Sequence, residues 1–143
     1  MPFALLKLAE DEGVQVEYWA FKPPIEAVYL RCPELPPVIG LKHSLVLSRT
    51  RFRCILAEEL GHHFTTPPGT TISRCFHYQD RVRVSRAEYR AMRWAAEWLM
   101  PADKLAEAIT HGVSGIPELA DYFQVTEEMA SLRLDLLGIQ GGS

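Results

Sequence analysis

Apolar positions along the chain fall into two rhythms, one helical and one alternating. "FALLKLAEDE" (3–12) carries its apolar residues at helical spacing, and Gly13 is a natural C-terminal stop. "VQVEYWAF" (14–21) alternates and is rich in β-branched and aromatic residues, which predicts a strand. Lys22-Pro23-Pro24 turns the chain, and "IEAVYLRC" (25–32) predicts a second strand. A Pro-rich break at 33–37 precedes "VIGLKHSLVL", expected to be a third short strand or an edge segment. Ser48 then suits the N-cap of a helix of about sixteen residues, which Thr65-Thr66-Pro67-Pro68-Gly69 ends. The 70–84 stretch is harder to read, although the alternation in "RVRVS" suggests a small hairpin or extended loop. Ser85 caps a second long helix, "RAEYRAMRWAAEWLM", and Pro101 closes it while opening the next. "ADKLAEAIT", "IPELADYF" and "TEEMASLRLDLL" predict three short helices. The order is one helix, a small set of antiparallel strands, then several helices, an α+β layout.

Composition narrows the class. A length of 143 residues suits a single domain over 1–143, with 113–138 as a helical C-terminal subregion. The net charge of −3 offers no general attraction to nucleic acid or to an anionic membrane. The basic clusters "RTRFR" (49–53) and "RVRVSR" (81–86) read as solvated faces. Cys32, Cys54 and Cys75 are odd in number and lack a C-x-x-C spacing, which argues against a disulfide framework and a thiolate zinc knuckle. No apolar run approaches a membrane span, and the N-terminus lacks the form of a signal peptide, so the expected location is the cytoplasm.

The candidate chemistry sits in "ILAEELGHHFTT" (55–66). On a helix, residues four apart share a face, so Glu58 and His62 can meet one metal ion. Glu59, beside the first of them, can reach a water held there. This is the layout of H-E-x-x-H metallohydrolases, written here as E-E-x-x-H. The competing reading is a solvent-facing glutamate pair with a helical Glu–His salt bridge. Two features favour metal: the pair lies in an apolar run, where an uncompensated carboxylate is costly. In addition, Gly61 in mid-helix costs about 1 kcal/mol relative to Ala, which makes sense if another backbone or a substrate approaches closely.

A catalytic zinc site wants a third protein ligand and an open position. Glu88 shares a helix face with Ala91 and Ala95, whose small side chains would let the two long helices approach. Glu88 is then a candidate third ligand, or else merely complements the helix N-terminal dipole. Arg90 and Glu97 fall on roughly the opposite face and should meet solvent. Cys75 and His77 offer an alternative ligand from the 70–84 loop.

Taken together, these segments resemble the ImmA/IrrE-type metallopeptidases found with phage, mobile-element and stress-response repressors. The likeness spans nearly the whole chain: "EDEGVQVEYWAF", "EAVYL", "CILAEELGHHF", "EYRAMRWAAEWLMP", and the F-x-V element at 123–125. It implies a zincin-like domain, with a small antiparallel sheet packed on an active-site helix, and a zinc-dependent endopeptidase activity, often on a helix-turn-helix repressor. Position by position, it implies His62 as a zinc ligand, Glu59 as general base and Glu88 as third ligand. Glu58 stands where the commoner motif has its first histidine ligand. As a ligand it makes bound water less acidic and the metal a weaker Lewis acid than an imidazole would. His63, His77 and Tyr78 are candidate oxyanion donors.

Two other functions compete. One is a catalytically silent relative that regulates a repressor by binding it. The other is a DNA-binding protein, since "IPELADYFQVTEEMASLRLDLLG" has a helix-turn-helix rhythm. Its last helix opens with Glu127 and Glu128, which repel phosphate, so a packing or partner-docking module is the better expectation.

Overall fold

The computed structural model describes residues 3–76 and 85–139. Helix α1 (Phe3–Asp11) is followed by strands β1 (Gln15–Trp19), β2 (Ile25–Cys32) and β3 (Leu35–Lys42), and by a short 3₁₀ turn, His43–Leu47. Helix α2 (Arg49–Thr65) leads to strand β4 (Thr71–Phe76). Helices α3 (Arg86–Leu99), α4 (Ala102–Thr110), α5 (Ile116–Phe123) and α6 (Glu127–Leu136) complete an α+β fold. Ser48 stands at the N-cap of α2 without a side-chain cap bond, while the other marked boundaries follow the expected punctuation. Gly13 takes a left-handed φ of 73° after α1, and Ser85 Oγ accepts from Glu88 N to cap α3. Thr126 does the same for α6, accepting from Met129 N.

The sheet corrects the antiparallel expectation. Its order is β1-β3-β2-β4, and β1 runs parallel to β3 while the other two pairings are antiparallel. The sheet is therefore mixed. The reason lies in the β1–β2 connection, which leaves a strand-wide gap that the β2–β3 hairpin fills. β3 also begins within the Pro-rich stretch, at Leu35, not after it. The prolines are tolerated because pairing with β1 starts only at Val38, so Pro36 and Pro37 lie at the hairpin end beyond β1. β4, paired with β2 from Arg31↔Thr71 to Ile25↔Phe76, turns part of the 70–84 stretch into sheet. The alternating run at 81–84 lies outside the described residues.

Helix α2 is the centre of the molecule. It is buried on every side from Cys54 to His62, contacts the sheet on one flank, and packs against α3 on another. An all-round buried helix has no polar face to offer solvent, so any charge it carries sits in the interior. Tyr29, Ile39 and Leu41 from the sheet meet Leu56 and Leu60 from α2 in the core, together with Ala95, Ala96 and Leu99 of α3. The C-terminal helices close the far side. Arg133 of α6 is buried and donates from Nε to the Met100 carbonyl at 2.8 Å, tying α6 to the end of α3. Among the described residues no helix is long and apolar enough to cross a membrane.

Candidate metal centre

The middle of α2 carries three buried ionisable side chains within five residues. Glu58 is 2% exposed, Glu59 0% and His62 2%. Burying adjacent carboxylates is costly unless the environment compensates them, and a cation bound at one lowers the cost of ionising both. Helical geometry sets Glu58 and His62 one turn apart on one face. Ser73 Oγ of β4 lies 3.3 Å from His62 Nδ1, the kind of contact that fixes an imidazole's orientation.

Close helix packing frames this turn. A Cβ on Gly61 would run into the Ala91 carbonyl oxygen, with Ala91 C and Cα at 2.9 Å. Glycine is thus required by the approach of the α3 backbone, as the mid-helix Gly suggested. Ala91 and Ala95 are both fully buried at this contact face.

His63, next in the chain, has other business. Its Nδ1 lies 2.8 Å from the Tyr29 hydroxyl and its Nε2 3.1 Å from Glu12 Oε1. These contacts hold both ring nitrogens and commit the side chain to tying β2 and the turn after α1 to α2. Tyr29 is fully buried, and burial lifts its phenol above the ordinary range, with Arg31 opposing and the charge of Glu59 adding to the rise. That coupling places the phenol in the electrostatic neighbourhood of Glu59. Arg31, two residues along β2, donates to the carbonyls of His63 (3.5 Å), Thr66 (3.3 Å), Gly69 (3.1 Å) and Pro67, closing off the end of α2. Beneath the helix, Cys54 receives Thr126 N–H at 3.4 Å, and its burial pushes the thiol up to about 11.

Glu88 takes a different place from the other three. Its backbone N–H donates to Ser85 Oγ at 3.1 Å, and its Oε1 receives the Ser85 hydroxyl at 3.2 Å, a reciprocal cap on α3. The side chain is half-buried, and Arg90 and Glu97 are exposed as expected. Among the described residues no group of three or more His, Cys, Asp or Glu side chains is placed to hold a metal ion. His77 and Tyr78 lie outside the described residues, as does the side chain of Cys75. The structure therefore assembles the E-E-x-x-H turn itself and leaves Glu88 in its cap.

The family model of the IrrE N-terminal-like domain, a peptidase family, matches residues 9–135. The chain belongs to this family. The match runs from the end of α1 to the last turn of α6, so it takes in the whole sheet, the α2–α3 pair and the C-terminal helices. No curated protein matches the chain. Family membership makes a metallopeptidase-like domain the frame in which the α2 turn is to be understood. Within it, the sequence spacing sets Glu58, Glu59 and His62 on one turn of α2, and the structure adds Glu12, Tyr29 and Ser73 as the groups around its two histidines. Tyr29 could have been singled out as a hydroxyl on a strand next to the motif helix. Nothing in the sequence marks Ser73, because its approach to His62 depends on sheet pairing.

Proposed function

We propose that this IrrE N-terminal-like domain is a zinc-dependent endopeptidase with a variant E-E-x-x-H site. The observation that carries the reading is the burial of Glu58, Glu59 and His62 together on one turn of α2, beneath the Gly61–Ala91 contact. The donor chemistry suits the metal, since carboxylate and imidazole are both ordinary zinc ligands. Glu58 and His62 would hold it, His62 through Nε2 because Nδ1 faces Ser73. Glu88 is the proposed third ligand, exchanging its bond from Ser85 for the metal. When bound, zinc supplies Lewis acidity to a scissile carbonyl and lowers the pKa of a water molecule.

The chain's own residues do the rest. Glu59 takes the proton from the attacking water and passes it to the departing amine. Tyr29 and Arg31 keep the end of α2 fixed while this happens. The substrate we propose is a helix-turn-helix repressor, as the family resemblance implies, and the location cytoplasmic, with residues 1–143 acting as a single domain.

A second reading is a silent family member that binds and regulates a repressor. It is favoured by the cap that engages Glu88 and by the lack of a three-donor group among the described residues. Metal content and proteolysis separate the two. Under the first reading the purified protein carries near-stoichiometric zinc, and co-expression with a candidate repressor yields cleavage that Glu59→Gln abolishes. A folded protein that takes up no zinc supports the second.

A further inference from the structure

Two adjacent histidines at the end of α2 are held by two paired residues of the sheet. Tyr29 of β2 and Ser73 of β4 are direct cross-strand partners, so their side chains leave the same face of the sheet. Ser73 Oγ meets His62 Nδ1 at 3.3 Å, and the Tyr29 hydroxyl meets His63 Nδ1 at 2.8 Å. We infer that the Tyr29–Ser73 pair is a positioning device that sorts the two imidazoles, aiming His62 into the metal site and holding His63 out of it.

Each ring has a hydroxyl at its Nδ1, and His63 has a carboxylate at Nε2 as well. Glu12, a carboxylate, can only accept, so His63 carries its proton on Nε2 and donates to Glu12 Oε1 at 3.1 Å. In the neutral ring His63 Nδ1 is then the acceptor for the Tyr29 hydroxyl. The order is hydroxyl, imidazole, carboxylate, yet it is not a nucleophile relay, because Tyr29 is 0% exposed and no substrate atom can reach its oxygen. For His62 the sorting needs the opposite arrangement: the Ser73 hydroxyl, 3.3 Å from Nδ1, accepts from Nδ1–H in the tautomer that leaves the lone pair on Nε2. The rings differ by one position in sequence and about 100° around the helix, and the sheet supplies one hydroxyl for each. His63 is further fixed by ring contacts, edge-on to Tyr29 at 5.9 Å and to Phe64 at 5.1 Å, with Phe64 stacked on Trp94 at 4.9 Å.

This sorting rests on the proposed zinc reading for its purpose, and the test separates the two. Zinc affinity of the full chain is measured by competition with a chromophoric chelator, alongside urea unfolding of the metal-free protein. Ser73→Ala should weaken zinc binding by about 10–100-fold, the range for losing a residue that orients a ligating histidine, with little change in the urea midpoint. Ser73→Thr, which keeps the hydroxyl, should restore it. In Tyr29→Phe, the imidazole ¹⁵N shifts of His63 should move from the pure Nε2–H tautomer toward a mixture. A purely structural serine would shift the urea midpoint and not the zinc affinity. Equal zinc affinity in native protein and Ser73→Ala overturns the sorting while leaving the zinc reading intact. Native protein that binds no zinc overturns both. An unchanged His63 tautomer in Tyr29→Phe overturns the Tyr29 half.

Discussion

Gly61 of α2 and Ala91 of α3 meet backbone against backbone, with no room between them for a single methyl group. This contact fixes the distance between the two long helices at the turn that carries His62. It also explains why a residue with poor helix propensity sits in the middle of a buried helix. The loss of about 1 kcal/mol in propensity is offset by packing that a larger residue would prevent.

Gly61→Ala should therefore destabilise the protein, although on propensity alone it ought to stabilise it. The added methyl collides with main-chain atoms, which cannot rotate away, so the net loss should be about 1–3 kcal/mol by analogy with overpacked cores. Urea unfolding followed by circular dichroism measures it. A gain in stability would mean that the helices can separate without cost.

Cys54 should make stability fall at alkaline pH. Its thiol, ordinarily near 9.0, is pushed up to about 11 by burial, with bonds from Thr126 opposing. A raised folded-state pKa means that the folded protein holds the proton more tightly. The contribution is complete below pH 9 and is lost as the pH rises toward about 11. Unfolding free energies from pH 8 to 11 should fall more steeply for the native protein than for Cys54→Ala. Parallel curves would show that the thiol does not ionise differently on folding.

The helices were legible because their ends are marked locally: Gly13 after α1, Ser85 before α3, Pro101 between α3 and α4. So was the α2 turn, since the spacing of Glu58, Glu59 and His62 is a property of one helix. The mixed sheet was not. Its order depends on β3 entering between β1 and β2, a non-local choice that no residue of β1 records. β4 was hidden for a related reason, as "TISRCF" lacks a clean alternation and becomes a strand by pairing with β2. Ser73 is invisible to a linear reading on the same account, because strand register brings it beside Tyr29.

Glu58 is the residue that sets this site apart from the usual motif. Under the zinc reading, Glu58→Gln should lower zinc affinity at least about tenfold, roughly 1.4 kcal/mol, because a neutral amide is a poor replacement for an ionised carboxylate. Glu58→His should bind zinc at least as well as the native protein and should raise peptidase activity, since a neutral ligand leaves the metal the stronger Lewis acid. Isothermal titration with zinc, paired with repressor cleavage, checks both. Equal affinity in all three proteins would show that Glu58 is not a ligand.

Glu88 is asked to do two things, and one substitution separates them. In its present place the carboxylate receives the Ser85 hydroxyl while Ser85 caps the Glu88 amide. Glutamine fills the same position in a capping box as well as glutamate does, so Glu88→Gln should keep the cap and most of the apo-protein's stability. A small loss of about 0.3–1 kcal/mol is expected from removing a negative charge at the helix N-terminus. If Glu88 leaves the cap to bind metal, the same substitution should lower zinc affinity well beyond that, because the amide is a far weaker ligand. The relevant comparison is zinc affinity against apo stability in native protein, Glu88→Gln and Ser85→Ala. Ser85→Ala removes the competing bond, so it should weaken the apo-protein by about 1 kcal/mol and leave Glu88 easier to recruit, raising zinc affinity. Opposite movements of zinc affinity in Glu88→Gln and Ser85→Ala would identify Glu88 as the third ligand. Unchanged affinity in both would confine it to capping α3.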